Sequence, residues 1–203
     1  PISRIRHLVH ALVLRTDDGL SDPWVRENEI PFWFSKSAYS LAFIANCRQK
    51  VVKRASIKVW IPDFFCNSSL QPLRAAGVEL VFYPISNLST PDFDACDTLA
   101  KNQSVDIFVH VHYLGQPLPA DLSSDFAKKH GAWLVEDAAH VFSPIEGVGG
   151  MGDCVIYSPH KQLPIPNGAI LLLRMDGPSC FGEDDYCKEL FKDNSDDYIN
   201  LNR

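Results

Sequence analysis

Three apolar runs of strand length between Gly131 and Arg174 restrict this chain more than any other part of it. The first, AWLVED (132–137), ends on two carboxylates, with Ala138, Ala139 and His140 just beyond. A glycine-rich connection follows, carrying Gly147, Gly149, Gly150 and Gly152. The second run, DCVIYS (153–158), delivers Ser158, His160 and Lys161 into a short proline-rich loop, and AILLL (169–173) closes the unit. Upstream, further strand-like runs alternate with helix-compatible segments. The strands are expected at 31–35, 56–61, 79–84, 106–112, 132–136, 153–158 and 169–174. Helices are expected in IRHLVHALVL near the start, AYSLAFIANC, SSLQPLRAAG, a short segment within 91–100, and LPADLSSDFAKKHG, where Gly131 reads as a C-cap. Strands alternating with helices predict an α/β fold: a three-layer sandwich around a mostly parallel, roughly seven-stranded sheet.

The chain of 203 residues suffices for one sizeable domain. Apolar content of 46% and charged content of 22% are ordinary for a globular protein. A formal net charge of −6, with acids gathered late (Glu183 to Asp185, Asp193 to Asp197), argues against nucleic-acid binding. No apolar run approaches the ~20 residues of a membrane helix, and the basic, apolar start reads as a first helix and not as a targeting peptide. Six cysteines without C-x-x-C spacing predict buried, reduced thiols and a cytoplasmic setting.

In open α/β sheets, chemistry sits at the carboxyl ends of strands, and here two consecutive strands end on capable residues. An acid at one strand end and a lysine at the next is what a pyridoxal phosphate site needs: a lysine to hold the cofactor and a carboxylate to keep its ring nitrogen protonated. The lysine must also lose its proton, which desolvation favours. Lys161 has Pro159, His160, Leu163 and Pro164 as sequence neighbours, and an apolar setting is expected for it. Asp137, after largely apolar residues, is expected to be semi-buried. Spacing alone leaves a second reading open, in which Lys161 lies on a solvated loop and Asp137 caps a helix. His110 and His112 share one strand face without an Asp or Cys at ligand spacing, which favours core histidines over a metal pair; no metal site is expected.

The stretches VEDAAH, GDCVIYSPHK and LPIPNGAILLL resemble the DegT/DnrJ/EryC1/StrS family of sugar aminotransferases, which use pyridoxal 5'-phosphate on the aspartate aminotransferase fold. The resemblance implies that Asp137 pairs with the ring nitrogen, that His140 lies beside the ring, that Ser158 touches the phosphate and that Lys161 is the Schiff-base lysine. The family's phosphate-binding Ser-Gly-Thr-Ala corresponds to Ser35-Lys36-Ser37-Ala38, which assigns Ser37 and Lys36 to the phosphate, with lysine replacing glycine. The loop after SIKVWIP offers Phe65, with Phe64 next to it, as the aromatic over the ring. Ala169 replaces a family glycine, and His-Tyr-x-Gly at 112–115 resembles a loop that borders the active site.

The resemblance covers roughly residues 30–175. It implies a large, cofactor-binding domain at 1–175 and a tail or linker at 176–203, with the family's small C-terminal domain absent. It further implies a homodimer that transfers an amino group from a donor such as glutamate to a nucleotide-linked keto sugar. The alternative is a truncated or diverged non-catalytic member acting as a binding or scaffold domain. Sugar dehydration, which relatives perform with histidine in place of the lysine, is disfavoured by Lys161.

Overall fold

The computed structural model describes residues 19–86 and 89–175. The helix expected in IRHLVHALVL and the tail 176–203 lie outside the described residues. Seven strands form one sheet: β1 (Glu29–Phe34), β2 (Lys58–Pro62), β3 (Glu79–Tyr83), β4 (Ile107–Val111), β5 (Trp133–Ala138), β6 (Cys154–Tyr157) and β7 (Ala169–Arg174), in the order β1-β7-β6-β5-β4-β2-β3. The pairs from β3 through β6 are parallel, whereas β7 is antiparallel to both of its neighbours, β6 and β1. The reversal at β7 has a simple cause. Residues 158–168 are too few for a crossover helix, so the chain can return only antiparallel. Pro31 cannot donate to a ladder, and it sits on β1, at the sheet edge.

Among the described residues, four helices flank the sheet: α1 (Ser37–Val52), α2 (Gln71–Ala75), α3 (Phe93–Ala100) and α4 (Asp121–His130). Side chains alternate between the sheet's two faces, and the core divides accordingly. Val59, Ile61, Val109, Val135, Ile156 and Leu171 pack on one face with Leu41, Phe43 and Ile44 of α1. Trp60, Phe108 and Leu134 pack on the other with Cys96 of α3 and Phe126 of α4. Further along that second face, Val155, Tyr157 and Leu172 are covered by Trp24, Val141 and Val148, which belong to irregular segments and not to a helix. Burying an aliphatic or aromatic side chain of this size contributes about 1.5–3 kcal/mol, so both layers are needed to hold the sheet.

Gly131 ends α4 in the left-handed conformation (φ 63°), and its N–H donates to Lys128 O at 3.1 Å. This is the expected C-cap. From α1, Arg48 reaches across to donate to Gly131 O at 2.6 Å and lies over the Trp133 ring at 5.1 Å, fixing α1 against the start of β5. Cys47, Cys96 and Cys154 are buried free thiols, while Cys66 is exposed.

Candidate functional site

The carboxyl ends of the parallel strands point to one end of the sheet, and the first turn of α1 lies across it. In register, Val111 of β4, Asp137 of β5 and Ile156 of β6 are neighbours on the face that α1 covers. These three residues, with Ser37, Ala38 and Leu41 from α1, floor a pocket of about 210 Å³. Phe64, Phe65, Cys66 and Ser69 wall it after β2, Tyr113 and Leu114 after β4, Ala139 and His140 after β5, and Lys161 after β6. Asp137, His140, Lys161, Ser37 and Phe65 thus line one cavity.

Asp137 Oδ1 accepts the Ala139 N–H at 2.9 Å. Burial raises its carboxyl above the ordinary value, against the opposing pull of that N–H and of the Lys161 charge. A carboxylate in that state gains from a cationic partner. His140 is exposed at the rim, and its imidazole is lowered by burial of the ring and then by Lys161. Ser158 follows β6 and is fully buried, its hydroxyl without a hydrogen-bond partner among the described residues. It lies behind the lining and is not part of it.

The first turn of α1 carries no acidic residue, and no side chain caps it. Its amide dipoles therefore remain available to an anion. Lys36 is the N-cap, extended (φ −147°, ψ 149°) and exposed, outside the pocket lining. Phe65 is half-buried against the core as well as lining the pocket, whereas Phe64 is 76% exposed.

One expectation is overturned. Lys161 does not have an apolar setting: it is exposed in a 3₁₀ turn (Pro159–Lys161), and Pro164, Ile165 and Pro166 after it are exposed too. Apolar neighbours in sequence do not surround a side chain when a surface loop turns their groups toward solvent.

The acid beside Asp137 has a separate task. Alternation places Glu136 on the opposite sheet face, fully buried. Its Oε1 accepts the N–H groups of Met151 (2.7 Å) and Gly152 (2.6 Å). Its Oε2 accepts those of Gly149 (2.7 Å) and His112 Nε2 (2.8 Å). His112 Nδ1 accepts the Leu118 N–H at 3.1 Å, which fixes the neutral tautomer with its proton on Nε2. Burial alone would raise the Glu136 carboxyl, but the hydrogen bonds from His112, Met151 and Gly152 hold it well below the carboxylate range. Glu136 therefore folds the glycine-rich connection back onto the end of β5. His110 Nδ1 lies 2.8 Å from Ser123 Oγ, so both histidines are core residues. Among the described residues, no group of three or more potential ligands is placed to hold a metal.

Gly115 (φ 76°) closes the turn after β4, where an added Cβ would lie 2.7 Å from His140 O. The loops after β4 and β5 touch at that point. Among the described residues, no helix is long and apolar enough to cross a membrane.

The donor set suits pyridoxal phosphate. A buried acid ready for a cationic ring nitrogen faces an amine across the cavity. An unsatisfied serine hydroxyl and an open helix N-terminus supply phosphate-type contacts nearby.

Comparison with known proteins agrees. Residues 49–173, more than half of the chain, match the DegT/DnrJ/EryC1/StrS aminotransferase family. No curated protein sequence matches. Among solved structures, DesI in the presence of its TDP-sugar product superposes with a TM-score of 0.70 at 19% identity, over 98% of this chain and 50% of that one. PseC of Helicobacter pylori, an aminotransferase involved in the biosynthesis of pseudoaminic acid, gives 0.64 at 19% identity, over 87% and 45%. A GDP-4-keto-6-deoxymannose-3-dehydratase, ColD, gives 0.59 at 15% identity, over 72% and 40%. The chain thus spans about half the length of these structures. At these identities the likeness establishes the fold alone. By the extent of its match, the chain belongs to the DegT/DnrJ/EryC1/StrS aminotransferase family.

Proposed function

We propose that this chain is the cofactor-binding unit, residues 1–175, of an aminotransferase that moves an amino group from a donor such as glutamate to a nucleotide-linked keto sugar. The observation that carries the reading is that Asp137 and Lys161, from the ends of adjacent parallel strands, line one pocket beneath the first turn of α1. Family membership and the TDP-sugar product named with DesI support the substrate class.

Bound pyridoxal phosphate supplies an electron sink for the carbon from which a proton is taken. Asp137 would keep the ring nitrogen protonated, and its carboxyl, raised by burial, would gain a cationic partner. Ser37 and the first-turn amides of α1 would hold the phosphate, with Ser158 behind the lining and Lys36 outside it as further candidates. Phe65 and His140, both in the pocket lining, would contact the ring. Lys161 would be the attachment point for the cofactor and would move a proton between substrate and cofactor carbons as general acid and base. The unit works as a homodimer in the cytoplasm.

The test is amino transfer itself. The chain, pyridoxal phosphate, glutamate and a nucleotide-linked 4-keto sugar are incubated, and 2-oxoglutarate and amino sugar are measured. Equal amounts of both products are expected, and neither from Lys161→Ala. Dehydration of the sugar without amino transfer would overturn the reading.

A further inference from the structure

Tyr113 is a polar residue of the pocket lining to which no role has been given. It lies two residues after β4, lines the cavity that Lys161 also lines, and packs its ring partly against the core and against Phe64 (6.3 Å between centroids). Its hydroxyl is inaccessible to solvent and has no hydrogen-bond partner among the described residues. A buried hydroxyl left unpaired is unfavourable, and native structures pair such groups unless a ligand is to do so. Burial, and then the neighbouring Asp137 and Asp63 carboxylates, raise the phenol so that it stays protonated and can act only as a donor or neutral acceptor. By contrast, the nearby Tyr83 hydroxyl is equally buried but donates to Val109 O at 2.5 Å, so the fold pairs one tyrosine here and leaves the other open.

We infer that Tyr113 is a cofactor-binding residue whose phenolic O–H donates a hydrogen bond to an oxygen of the molecule held between Asp137 and Lys161. This rests on the pyridoxal phosphate reading of the pocket. The acceptor is a polar oxygen on a planar ring or on its substituents, because Tyr113 lines the pocket from the loop after β4, whose end pairs with Asp137.

The geometry makes an unusual demand on a single variant. Removing an unpaired buried hydroxyl should leave the ligand-free protein as stable as before, or more so. Loss of the ligand contact should nonetheless weaken binding by about tenfold, the equivalent of roughly one hydrogen bond. The experiment titrates pyridoxal phosphate into the full chain and into Tyr113→Phe, reading affinity by equilibrium dialysis and tryptophan quenching. Thermal unfolding is measured with and without the cofactor. The inference expects an unchanged or raised melting temperature without cofactor, weaker binding, and a smaller cofactor-induced rise in Tm. Equal affinity for both proteins, or a lower ligand-free melting temperature for the variant, would overturn it. The second result would mean that the hydroxyl has a structural partner. If the unsubstituted chain does not bind pyridoxal phosphate, the underlying reading of the pocket fails instead, and this inference fails with it.

Discussion

Replacing Glu136 with glutamine alters no volume and touches no residue of the pocket lining, yet it should be among the most damaging single changes in the chain. Four N–H donors converge on the two carboxylate oxygens, two on each. Glutamine offers one oxygen. In the better orientation the amide oxygen keeps Met151 and Gly152, and the NH₂ group then faces the Gly149 and His112 donors. His112 cannot rescue the clash by shifting its proton, because its Nδ1 already accepts from Leu118. Two hydrogen bonds to a charged group are lost, at about 1.5–3 kcal/mol each, which predicts a loss of about 3–6 kcal/mol. That is a large part of the ~5–15 kcal/mol a domain possesses. Urea unfolding, with the m-value required to stay constant, measures it.

The pH dependence supplies a second reading should the variant fold poorly. The folded-state carboxyl of Glu136 lies below its unfolded value of about 4.3, so its contribution is complete above that pH. It is lost as pH falls toward the folded value of about 2. The gap between parent and variant should therefore close on acidification across that window. A loss under about 1 kcal/mol at pH 7, with unchanged m, would refute the view that Glu136 organises the glycine-rich connection.

Three further substitutions separate strain from chemistry. Gly115→Ala combines a left-handed φ of 76° with a Cβ 2.7 Å from His140 O, and should cost about 2–4 kcal/mol by thermal unfolding. Gly77→Ala, with a similar φ of 72° but open space around it, should cost only about 1–2 kcal/mol; equal losses would dismiss the contact between the two loops. For Asp137→Asn the sign reverses relative to Glu136. The folded-state carboxyl is raised, so the unfolded chain releases its proton first and parent stability falls as pH rises through that window. The ligand-free variant should be more stable than the parent at pH 7 and equal to it near pH 3, and it should bind pyridoxal phosphate poorly; a variant less stable at pH 7 would contradict the burial argument.

The sheet was legible because its strands are buried on both faces and therefore read as near-continuous apolar runs, Trp133 to Val135 and Ile170 to Leu173 among them. Asp137 and Lys161 were legible because chemistry gathers at strand ends. The surroundings of Lys161 were not, since Leu163 and Pro164 are its neighbours along the chain and not in space. In the sequence Glu136 was visible only as the second of two carboxylates ending a strand. Strand alternation puts it on the far face from Asp137, but its partners come from β4 and from a distant glycine loop, and only the strand register brings these together. Tyr113 gave a faint signal as part of a loop after a strand; its unpaired hydroxyl is a property of the packed structure alone.

The central claim is that Lys161 and Asp137 together hold pyridoxal phosphate. Its most direct test is to incubate the chain with the cofactor, reduce with borohydride and map the labelled peptide by mass spectrometry, beside Lys161→Ala. The account predicts one stoichiometric label on Lys161, none at that peptide in the variant, and slower labelling in Asp137→Asn. No label, or label scattered over surface lysines and undiminished in Lys161→Ala, would contradict it and leave the fold as a binding or scaffold domain.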